Sequence, residues 1–512
     1  MKAVHVLLAL LVNAALALGV AEVGLRAMGF SPSSVNTEFD PELGWRKTPR
    51  TTIQRSTGEF DVTLTTDGAG LRDDYEALAP APEGTQRAVF LGDSFVVGYT
   101  VDRDDLFVDQ LERALQAEGR PIEIMNAGTQ GYSTDQSLRW LELYGERVAP
   151  DLVVHFAYEN DIWWNASPTY LGNDKPLYGE DGALVERTLE APPDRHWSRA
   201  LALGEAWYRL LVAPEKPTVP VGGMALDAEL SSRLVDPPAE TLAAEARTRA
   251  LIAAMAARCE ALGARLVVCP IPSRAHVQAA LAATEVPEGA PLDPARPSQV
   301  LVEAARAAGA TVVDPLLAIA TFAADAPVHY RRDFHLNGHG NVALAVALHG
   351  ALDGAGLLPA MADGAGAVLP AGPPTGEPAL PPWLLWYLGL AAALGLLYTR
   401  TYPDEGALKG AGSVAALLAV VFGTALGVSW VVELLPPRAA TLTVLALVLG
   451  LLTFVLYKLG ERLGTIAELV RAFTLRGHWY LLPLLSVLLT VGSLLVVAAS
   501  SPLVAPFIYT LF

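Results

Sequence analysis

The chain has 512 residues, which is too many for one ordinary hydrophobic core, so we expect two or three domains. The formal net charge is -18 and no dense run of lysine and arginine occurs. This composition argues against nucleic acid as a partner, because binding phosphates needs a basic surface. Hydrophobic residues make up 52% of the sequence, and their excess is concentrated at the two ends.

The N-terminal segment 1–25 is predicted to be a membrane helix. Lys2 is followed by an apolar run from about Val4 to Val20, long enough for an export signal or an uncleaved anchor. Small residues around Ala15 would allow cleavage, but the apolar run continues beyond them, which favours the anchor.

Residues 30–360 are predicted to form an α/β domain in which a parallel sheet is covered by helices on both faces, because short apolar runs alternate with amphipathic ones. The predicted strands are Arg87–Leu91, Ile122–Asn126, Leu152–Phe156, Arg265–Cys269 and Thr311–Val313. The predicted helices are Phe107–Ala117, Thr134–Tyr144, Ala239–Leu262, Val300–Ala308 and Asn341–Leu352. An insertion at 163–235 has little periodicity and is either a lid over the substrate or a packed structural excursion.

Residues 361–382 are rich in proline, glycine and alanine, which predicts an extended, unstructured linker. Residues 383–512 are predicted to be a membrane domain with four transmembrane helices. These four apolar stretches are Trp383–Tyr398, Ala411–Val432, Ala439–Tyr457 and Trp479–Ser500. With Lys2 in the cytoplasm, most cations of the tail loops also fall inside, which predicts a multi-pass protein whose middle domain is extracytoplasmic.

Polar residues follow the predicted strands at the edge where α/β sheets place their chemistry. Gly92-Asp93-Ser94 follows the first strand, Asn126 to Gly131 the second, and Glu159-Asn160-Asp161 the third. Asp333-Phe334-His335 precedes the last helix. These residues could form one site for acyl transfer.

Acyl transfer by serine needs a base for the hydroxyl proton, an acid that orients the base, and donors for the oxyanion. Ser94 supplies the hydroxyl and His335 the base, and the N–H groups of Ser94 and Gly131 with the Asn160 amide suit the oxyanion. Taken singly, each residue has a structural explanation: Gly-Asp-Ser is an ordinary turn and Asn-Asp a helix cap. His339 competes with His335 as base, whereas His155 is expected in the core and His329 carries no particular signal.

These motifs together resemble the SGNH (GDSL-type) serine hydrolase superfamily, whose fold is flavodoxin-like, over about Asp40 to Leu352. The resemblance implies that Ser94 is the nucleophile, that His335 is the base, and that Gly131 and Asn160 complete the oxyanion hole. The segments Asp40-Pro41-Glu42-Leu43-Gly44-Trp45 and Asp67-Gly68-Ala69-Gly70-Leu71-Arg72 are similar to those of bacterial exported members.

One block departs from the superfamily pattern. The common last block has aspartate three residues before histidine, but position 332 is arginine and Asp333 stands two residues before His335. This spacing resembles the alginate O-acetylation branch, so Asp333 is predicted as the triad acid and a transferase becomes an alternative. Pro270-Ile271-Pro272-Ser273-Arg274 is also similar to a loop of that wider group, without a role assigned to Arg274.

The tail carries a second resemblance. Leu459–Phe512 resembles a small single-helix membrane family of unknown function, and the stretch before it is similar to small membrane proteins of biosynthetic clusters. This implies membrane-protein partners in a biosynthetic or envelope pathway.

Three functions remain open at this point. The first is a membrane-anchored extracytoplasmic esterase of the bacterial cytoplasmic membrane, acting on an acyl-ester substrate such as a glycan, lipid or metabolite. The second is an O-acyltransferase that uses the same residues, and the third is a non-catalytic binding or scaffold module. No cofactor or metal is called for, since the triad and oxyanion site account for the polar residues. The two cysteines, Cys259 and Cys269, are either a pair or two separate buried thiols.

Overall fold

The structure is a computed structural model that describes residues 36–370 apart from 58, 194–196, 213, 215, 222 and 283–290. It also describes 382–401, 410–419 and a few isolated positions nearer the two ends. The chain divides into two compact units. The larger unit comprises Ser34–Arg195 and Pro214–Thr375, and the smaller comprises Met1–Ser33, His196–Ala213 and Gly376–Phe512.

The strands of the described residues are, in chain order, β1 (Thr37–Asp40), β2 (Gly44–Lys47), β3 (Thr52–Ser56), β4 (Asp61–Thr65), β5 (Gln86–Leu91), β6 (Ile122–Asn126), β7 (Leu152–Ala157), β8 (Thr169–Tyr170), β9 (Asn173–Asp174), β10 (Thr218–Val221), β11 (Met224–Asp227), β12 (Arg265–Pro270) and β13 (Thr311–Val312). The α-helices are α1 (Ser94–Val97), α2 (Phe107–Ala117), α3 (Thr134–Val148), α4 (Glu159–Trp164), α5 (Ala202–Leu211), α6 (Ala239–Leu262), α7 (Arg274–Leu281), α8 (Arg296–Ala307), α9 (Leu316–Asp325), α10 (Gly338–Gly354) and α11 (Pro382–Thr401).

A parallel sheet with the order β13-β12-β7-β5-β6 forms the centre of the larger unit. Alternate residues of its strands enter two separate cores, as the period of two in a strand requires. Phe90 and Phe156 pack with α2, α9 and α10, whereas Val89 and Val153 pack with α3, α6 and α8. The predicted parallel sheet with helices on both faces is therefore confirmed.

The predicted strands agree with the observed ones to within one residue at each end. The predicted helices also form, and three of them extend beyond the predicted bounds: α3 reaches Val148, α8 begins at Arg296, and α10 spans Gly338–Gly354. Antiparallel hairpins β1–β2 and β3–β4 precede the sheet, and two more, β8–β9 and β10–β11, lie in the insertion at 163–235.

The two cysteines lie in different cores and are free. Cys259 on α6 is buried in one core and Cys269 on β12 in the other, on opposite faces of the sheet. They are therefore separate thiols, and burial raises the pKa of each above its ordinary value.

The described part of the linker predicted at 361–382 is hydrogen-bonded to Glu118. The Ala362 N–H donates to the Glu118 carbonyl at 3.1 Å, and the Val368 N–H donates to the Glu118 carboxylate at 2.8 Å. The described linker residues 361–370 form no helix or strand, and their main chain is held to the larger unit by these hydrogen bonds to Glu118. Residues 371–381 lie outside the described residues.

The predicted membrane segments are described only in part. The first tail segment is a helix, Pro382–Thr401, as predicted. Within the part of the chain that the structure describes, however, no helix is long and apolar enough to cross a membrane, so the predicted span is not supported there. The N-terminal helix at 1–25 and the last two tail spans lie wholly or largely outside the described residues, and the second tail span, Ala411–Val432, is described over 411–419 and at three later positions.

The smaller unit contains a piece of the predicted insertion. Residues 196–213 belong to it, including a short 3-10 helix at Trp197–Ala200 and the helix α5. The Glu22 carboxylate accepts hydrogen bonds from the Ala202 and Leu203 N–H groups at 2.9 and 3.0 Å, which caps the start of α5.

Candidate active site

Ser94 stands at a sharp turn between β5 and α1. A side chain at Gly92 would place its Cβ 2.6 Å from the Val96 side chain and 2.9 Å from the Phe156 carbonyl, so only glycine fits there. The Asp93 carboxylate accepts a hydrogen bond from the Phe95 N–H at 2.9 Å and caps α1. This turn holds Ser94 at the first residue of a short helix, beyond the carboxyl end of β5.

A continuous chain of hydrogen bonds joins the predicted nucleophile, base and acid. His335 Nε2 lies 2.7 Å from Ser94 Oγ, and His335 Nδ1 lies 2.5 Å from Asp333 Oδ1. The three side chains come from two distant parts of the sequence, the first residue of α1 and the loop before α10. The structure therefore brings together the serine, histidine and aspartate that the motifs selected.

The short Asp-x-His spacing has a geometric consequence. Asp333 Oδ1 accepts one hydrogen bond from the His335 ring and a second from the His335 main-chain N–H at 3.0 Å. Burial acts to raise the pKa of Asp333, but the hydrogen bonds and charge of His335 outweigh it, and the pKa lies below its ordinary value. Asp333 is therefore a carboxylate at neutral pH.

The other histidines do not compete for Ser94. His339 Nε2 contacts the Phe322 carbonyl at 3.1 Å, away from the serine. His155 is fully buried in β7, as expected for a core residue, and burial lowers its pKa to about 4. His329 is also buried, and burial together with the charges of Arg274 and His335 lowers its pKa to about 4.

The two other predicted oxyanion donors lie on loops that flank the Ser94 turn. Gly131 follows β6 and Asn160 follows β7, and these strands are the two neighbours of β5 in the sheet. The Thr129 N–H donates to the Gly92 carbonyl at 3.0 Å, which ties the Gly131 loop to the turn. Among the described hydrogen bonds none joins Gly131 or Asn160 to Ser94, so the sheet order alone places them at the same edge.

Each of these positions has a feature that suits contact with a ligand. Gly131 has a φ of +75°, and a Cβ there would lie 2.8 Å from the Tyr170 ring, so glycine is required. The Asn160 amide oxygen is buried and, within the described residues, has no hydrogen-bond partner.

Aromatic rings surround the histidine. The Phe334 ring is stacked on the His335 ring with centroids 4.2 Å apart, and Phe95 approaches it at 4.7 Å. Phe334 is 47% exposed, whereas Ser94 and His335 are 8% and 5% exposed.

Two cavities were compared as the place of the site. A small cavity of about 10 Å³ is lined by Ser94 and His335, and a larger groove of about 550 Å³ lies between Pro41, Arg139 and the segment 184–189. We place the site at Ser94, because the larger groove contains none of the predicted site residues.

The N-terminal hairpins hold two of the site loops, which the sequence did not predict. The buried Arg72 guanidinium donates to the carbonyls of Val97, Gly98 and Val101 at 2.8, 2.5 and 2.7 Å, immediately after the nucleophile helix. Arg72 ends one of the motifs that carry the resemblance, but its partners are main-chain carbonyls, so the sequence gives no signal of this role.

The Gly131 loop is held in a similar way. The Trp45 indole N–H donates to the Gln130 carbonyl at 3.0 Å, and the buried Lys47 ammonium donates to the Gly128 carbonyl. Burial lowers the pKa of Lys47 to about 7. The Tyr132 hydroxyl in turn donates to the Trp45 carbonyl at 2.6 Å.

A buried group of acids lies behind the site. Asp135 pairs with Lys175, and both side chains are fully buried. The Thr134 hydroxyl donates to Asp161 at 3.3 Å. Burial raises the pKa of Asp93 to about 6, and burial together with the charges of Asp93 and Asp135 raises the pKa of Asp161 well above its ordinary value. Within the described residues, no group of histidine, cysteine, aspartate and glutamate is arranged to hold a metal ion.

The insertion packs against this edge. Tyr170 contacts Gly131, Trp45 and Trp164, with ring centroids 5.8 Å from Trp45 and 4.8 Å from Trp164. Arg233 forms an ion pair with Glu159, the residue before Asn160. Over its described residues in the larger unit, the insertion is therefore a packed part of the fold that supports the Gly131 and Asn160 loops.

Comparison with known proteins supports the same assignment for the middle of the chain. Residues 90–343 match the model of the GDSL-like lipase/acylhydrolase family, and residues 463–512 match a family of unknown function, DUF5989. The GDSL-like lipase/acylhydrolase match runs from within β5 to within α10 and covers just under half of the chain. No curated protein matches the chain significantly.

Several solved structures are similar to the chain. They include TesA, with 15% identity over 52% of this chain and 99% of that one and a TM-score of 0.31. A lipase/acylhydrolase from Enterococcus faecalis has 15% identity over 54% of this chain and 100% of that one, with a TM-score of 0.31. The acetyl xylan esterase AlAXEase has 15% identity over 52% of this chain and 99% of that one, with a TM-score of 0.29. At these identities and TM-scores the matches carry no inference about substrate.

Proposed function

We propose that this protein is a serine ester hydrolase in which Asp333, His335 and Ser94 act as acid, base and nucleophile. The observation that carries the proposal is the unbroken chain of hydrogen bonds from Asp333 Oδ1 through the His335 ring to Ser94 Oγ. The match of residues 90–343 to the GDSL-like lipase/acylhydrolase family supports the same chemistry.

The first half of the reaction forms an acyl-enzyme. His335 Nε2 removes the proton from Ser94 Oγ while the oxygen attacks the ester carbonyl carbon, and Asp333 stabilises the imidazolium that results. The Ser94 N–H, the Gly131 N–H and the Asn160 amide donate to the oxyanion. His335 then gives its proton to the departing alcohol, which leaves the acyl group on Ser94.

The second half releases the acyl group. His335 removes a proton from water, the resulting oxygen attacks the acyl carbon, and the proton returns to Ser94 when the bond to the serine breaks. If a hydroxyl of an acceptor takes the place of water, the same residues catalyse O-acyl transfer. The observation that favours this second function is the Asp-x-His spacing, which resembles the alginate O-acetylation branch.

The test is hydrolysis of p-nitrophenyl acetate by the full-length protein, with and without oligosaccharide acceptors. We expect Ser94-dependent release into water, and we expect Ser94→Ala to lower kcat by about a thousandfold or more. Ser298→Ala, which removes a hydroxyl from α8, is the matched control and should retain full activity. Release that requires the acceptor, with acylated sugar as product, would make the protein an acyltransferase. Equal rates for the wild type and Ser94→Ala would favour the binding or scaffold module.

We further propose that the domain is attached to the cytoplasmic membrane and faces the extracytoplasmic side, through the apolar segments at 1–25 and 383–512. The cation distribution of the tail loops supports this orientation. The two natural cysteines are buried, so Glu83→Cys on the exposed surface gives a single accessible thiol. A membrane-impermeant maleimide should label it in intact cells, and labelling only after lysis would reverse the orientation.

A further inference from the structure

The loop that carries Asp333 and His335 is held from one side by an arginine. The Arg274 guanidinium, at the start of α7, donates to the carbonyl oxygens of Tyr330 at 2.6 Å, Arg331 at 2.9 Å and Asp333. Three carbonyls of one short loop thus converge on a single planar cation, whose fixed fork of donors sets their relative orientation.

The same loop is held from the other side by a carboxylate. Glu59, in the turn between β3 and β4, accepts hydrogen bonds from the Arg332 N–H at 2.9 and 3.0 Å and from the Asp333 N–H at 2.9 Å. Glu59 precedes the residues that match the acylhydrolase family model, and its hairpin reaches the loop from outside the central sheet.

A ring contact and a hydroxyl complete the support. Phe60, next to Glu59, packs against Tyr330 with ring centroids 5.1 Å apart, and the Tyr330 hydroxyl donates to the Thr100 carbonyl at 2.7 Å. The hairpin therefore touches the loop at two adjacent positions.

Each of the two charged side chains, Arg274 and Glu59, bonds the main-chain groups that suit its charge. The cation takes carbonyl oxygens and the anion takes N–H groups, so both sets of hydrogen bonds are charge-assisted and stronger than neutral ones. The peptide between Arg332 and Asp333 leads directly into the Asp333 side chain. Since Arg331 and Arg332 are exposed, the interior of the domain alone does not hold that peptide.

We propose that Glu59 and Arg274 are positioning residues that hold the Asp333–His335 loop in register with Ser94. This inference rests on the proposed ester hydrolysis, because it assigns the loop its catalytic purpose. Neither residue touches Ser94 or the His335 ring in the described hydrogen bonds, so each acts through the main chain of the loop.

The experiment uses the full-length protein with Glu59→Ala, Glu59→Gln and Arg274→Met, and with Glu83→Ala and Arg306→Ala as controls on exposed residues. Three quantities are measured: kcat and KM for p-nitrophenyl acetate, the rate at which a fluorophosphonate labels Ser94, and amide hydrogen exchange of the peptide containing 332 and 333. Thermal unfolding of each variant identifies those that merely fail to fold.

We expect Glu59→Ala to lower kcat and the labelling rate by about ten- to a hundredfold with KM within about twofold. Its 332–333 amides should exchange faster at an unchanged unfolding temperature. Glu59→Gln keeps an amide oxygen that can accept both N–H groups, so it should recover most of the lost rate. Arg274→Met should lower kcat in the same way, and both controls should behave as the wild type.

Two results would overturn the inference. Wild-type kcat and labelling in Glu59→Ala and Arg274→Met, with Ser94→Ala inactive, would remove the positioning role and leave the proposed hydrolysis standing. Unchanged exchange of the 332–333 amides in Glu59→Ala would show that Glu59 does not hold the loop, even if the wild type hydrolysed no ester. If the wild type neither hydrolysed the ester nor was labelled at Ser94, that result alone would contradict the proposed function.

Discussion

Asp333 stands two residues before His335, not three, and its carboxylate still reaches the His335 ring. A carboxylate two residues before His335 reaches both the ring Nδ1 and the main-chain N–H of the same residue with one oxygen, Oδ1. The main-chain hydrogen bond fixes the carboxylate at the distance that the ring needs. The other carboxylate oxygen is therefore not required for the orientation of His335.

His155 provides a prediction about pH. Burial lowers its pKa to about 4 in the folded protein, whereas an unfolded histidine has a pKa near 6.5. The folded state therefore binds this proton less readily, so the stability contributed by neutral His155 is fully present above about pH 6.5. That stability is lost as the pH falls through about 4, and the loss reaches on the order of 3 kcal/mol.

His155→Leu should remove this acid sensitivity. Leucine suits the apolar strand β7 and cannot bind a proton, so the variant should lose less stability than the wild type between pH 7 and pH 4.5. Denaturant unfolding at the two pH values measures the difference. Equal losses in both proteins would contradict the assignment of this sensitivity to His155.

At the scale of elements, α1 depends on a side chain from outside the sheet. Arg72 is 1% exposed and donates to three carbonyls that follow Ser94 in the chain. Burial lowers the pKa of Arg72 to about 10, which still leaves it charged at neutral pH. The nucleophile helix has only four residues, so these hydrogen bonds supply much of what fixes its end.

Arg72→Met should leave the carbonyls of Val97 and Val101 without the donor that they have now, whereas the Gly98 carbonyl keeps the Val101 N–H at 3.3 Å. We expect the free energy of unfolding to fall by about 3 kcal/mol, because each buried polar group left unsatisfied costs about 1–3 kcal/mol. We also expect kcat to fall more than KM changes, since Ser94 loses its fixed position. Arg113→Met, at an exposed arginine on α2, is the control for loss of charge. A variant as stable and as active as the wild type would exclude this role.

The elements that the sequence predicted well are those whose pattern is local. The buried strands are continuous apolar runs and α2 has apolar residues at helical spacing, so β5, β7 and α2 could be assigned from their own residues. The hairpins β1–β2 and β3–β4 are short and largely polar, and they depend on contacts with loops far along the chain. Their role in holding Gly131 and Asp333 could not be predicted, because a hydrogen bond such as Glu59 to Asp333 spans 274 positions.

The residues of the site also differ in whether the sequence could predict them. The proximity of Ser94, His335 and Asp333 was predictable from their motif blocks, because Ser94 follows β5 and the other two precede α10. Arg274 was noted without a role, because its partners are main-chain carbonyls, which leave no mark in the sequence. Lys47 and Arg72 were missed for the same reason, although each is a charged residue inside a predicted domain.

At the scale of the whole molecule, the end of the catalytic domain lies later than composition indicates. The Glu118 carboxylate accepts hydrogen bonds from His349 at 2.8 Å, from Arg120 at 2.5 Å and from the Val368 N–H at 2.8 Å. The first two partners lie within the predicted domain at 30–360, whereas the third lies in the predicted linker. The chain past residue 360 therefore completes a buried hydrogen-bonded group and is part of the domain.

This boundary predicts a difference between two fragments. A fragment 34–375 should have a free energy of unfolding about 1–3 kcal/mol higher than a fragment 34–360, because the shorter one leaves acceptors of Glu118 unsatisfied. Both should show the same kcat for p-nitrophenyl acetate, since Ser94 follows the carboxyl end of β5 whereas Glu118 precedes the amino end of the parallel strand β6, at the opposite edge of the sheet. Val368→Pro in the longer fragment removes the N–H alone and should account for part of the difference. If 34–360 were as stable as 34–375, the docked segment would contribute nothing and the domain would end at 360, as its composition alone indicates.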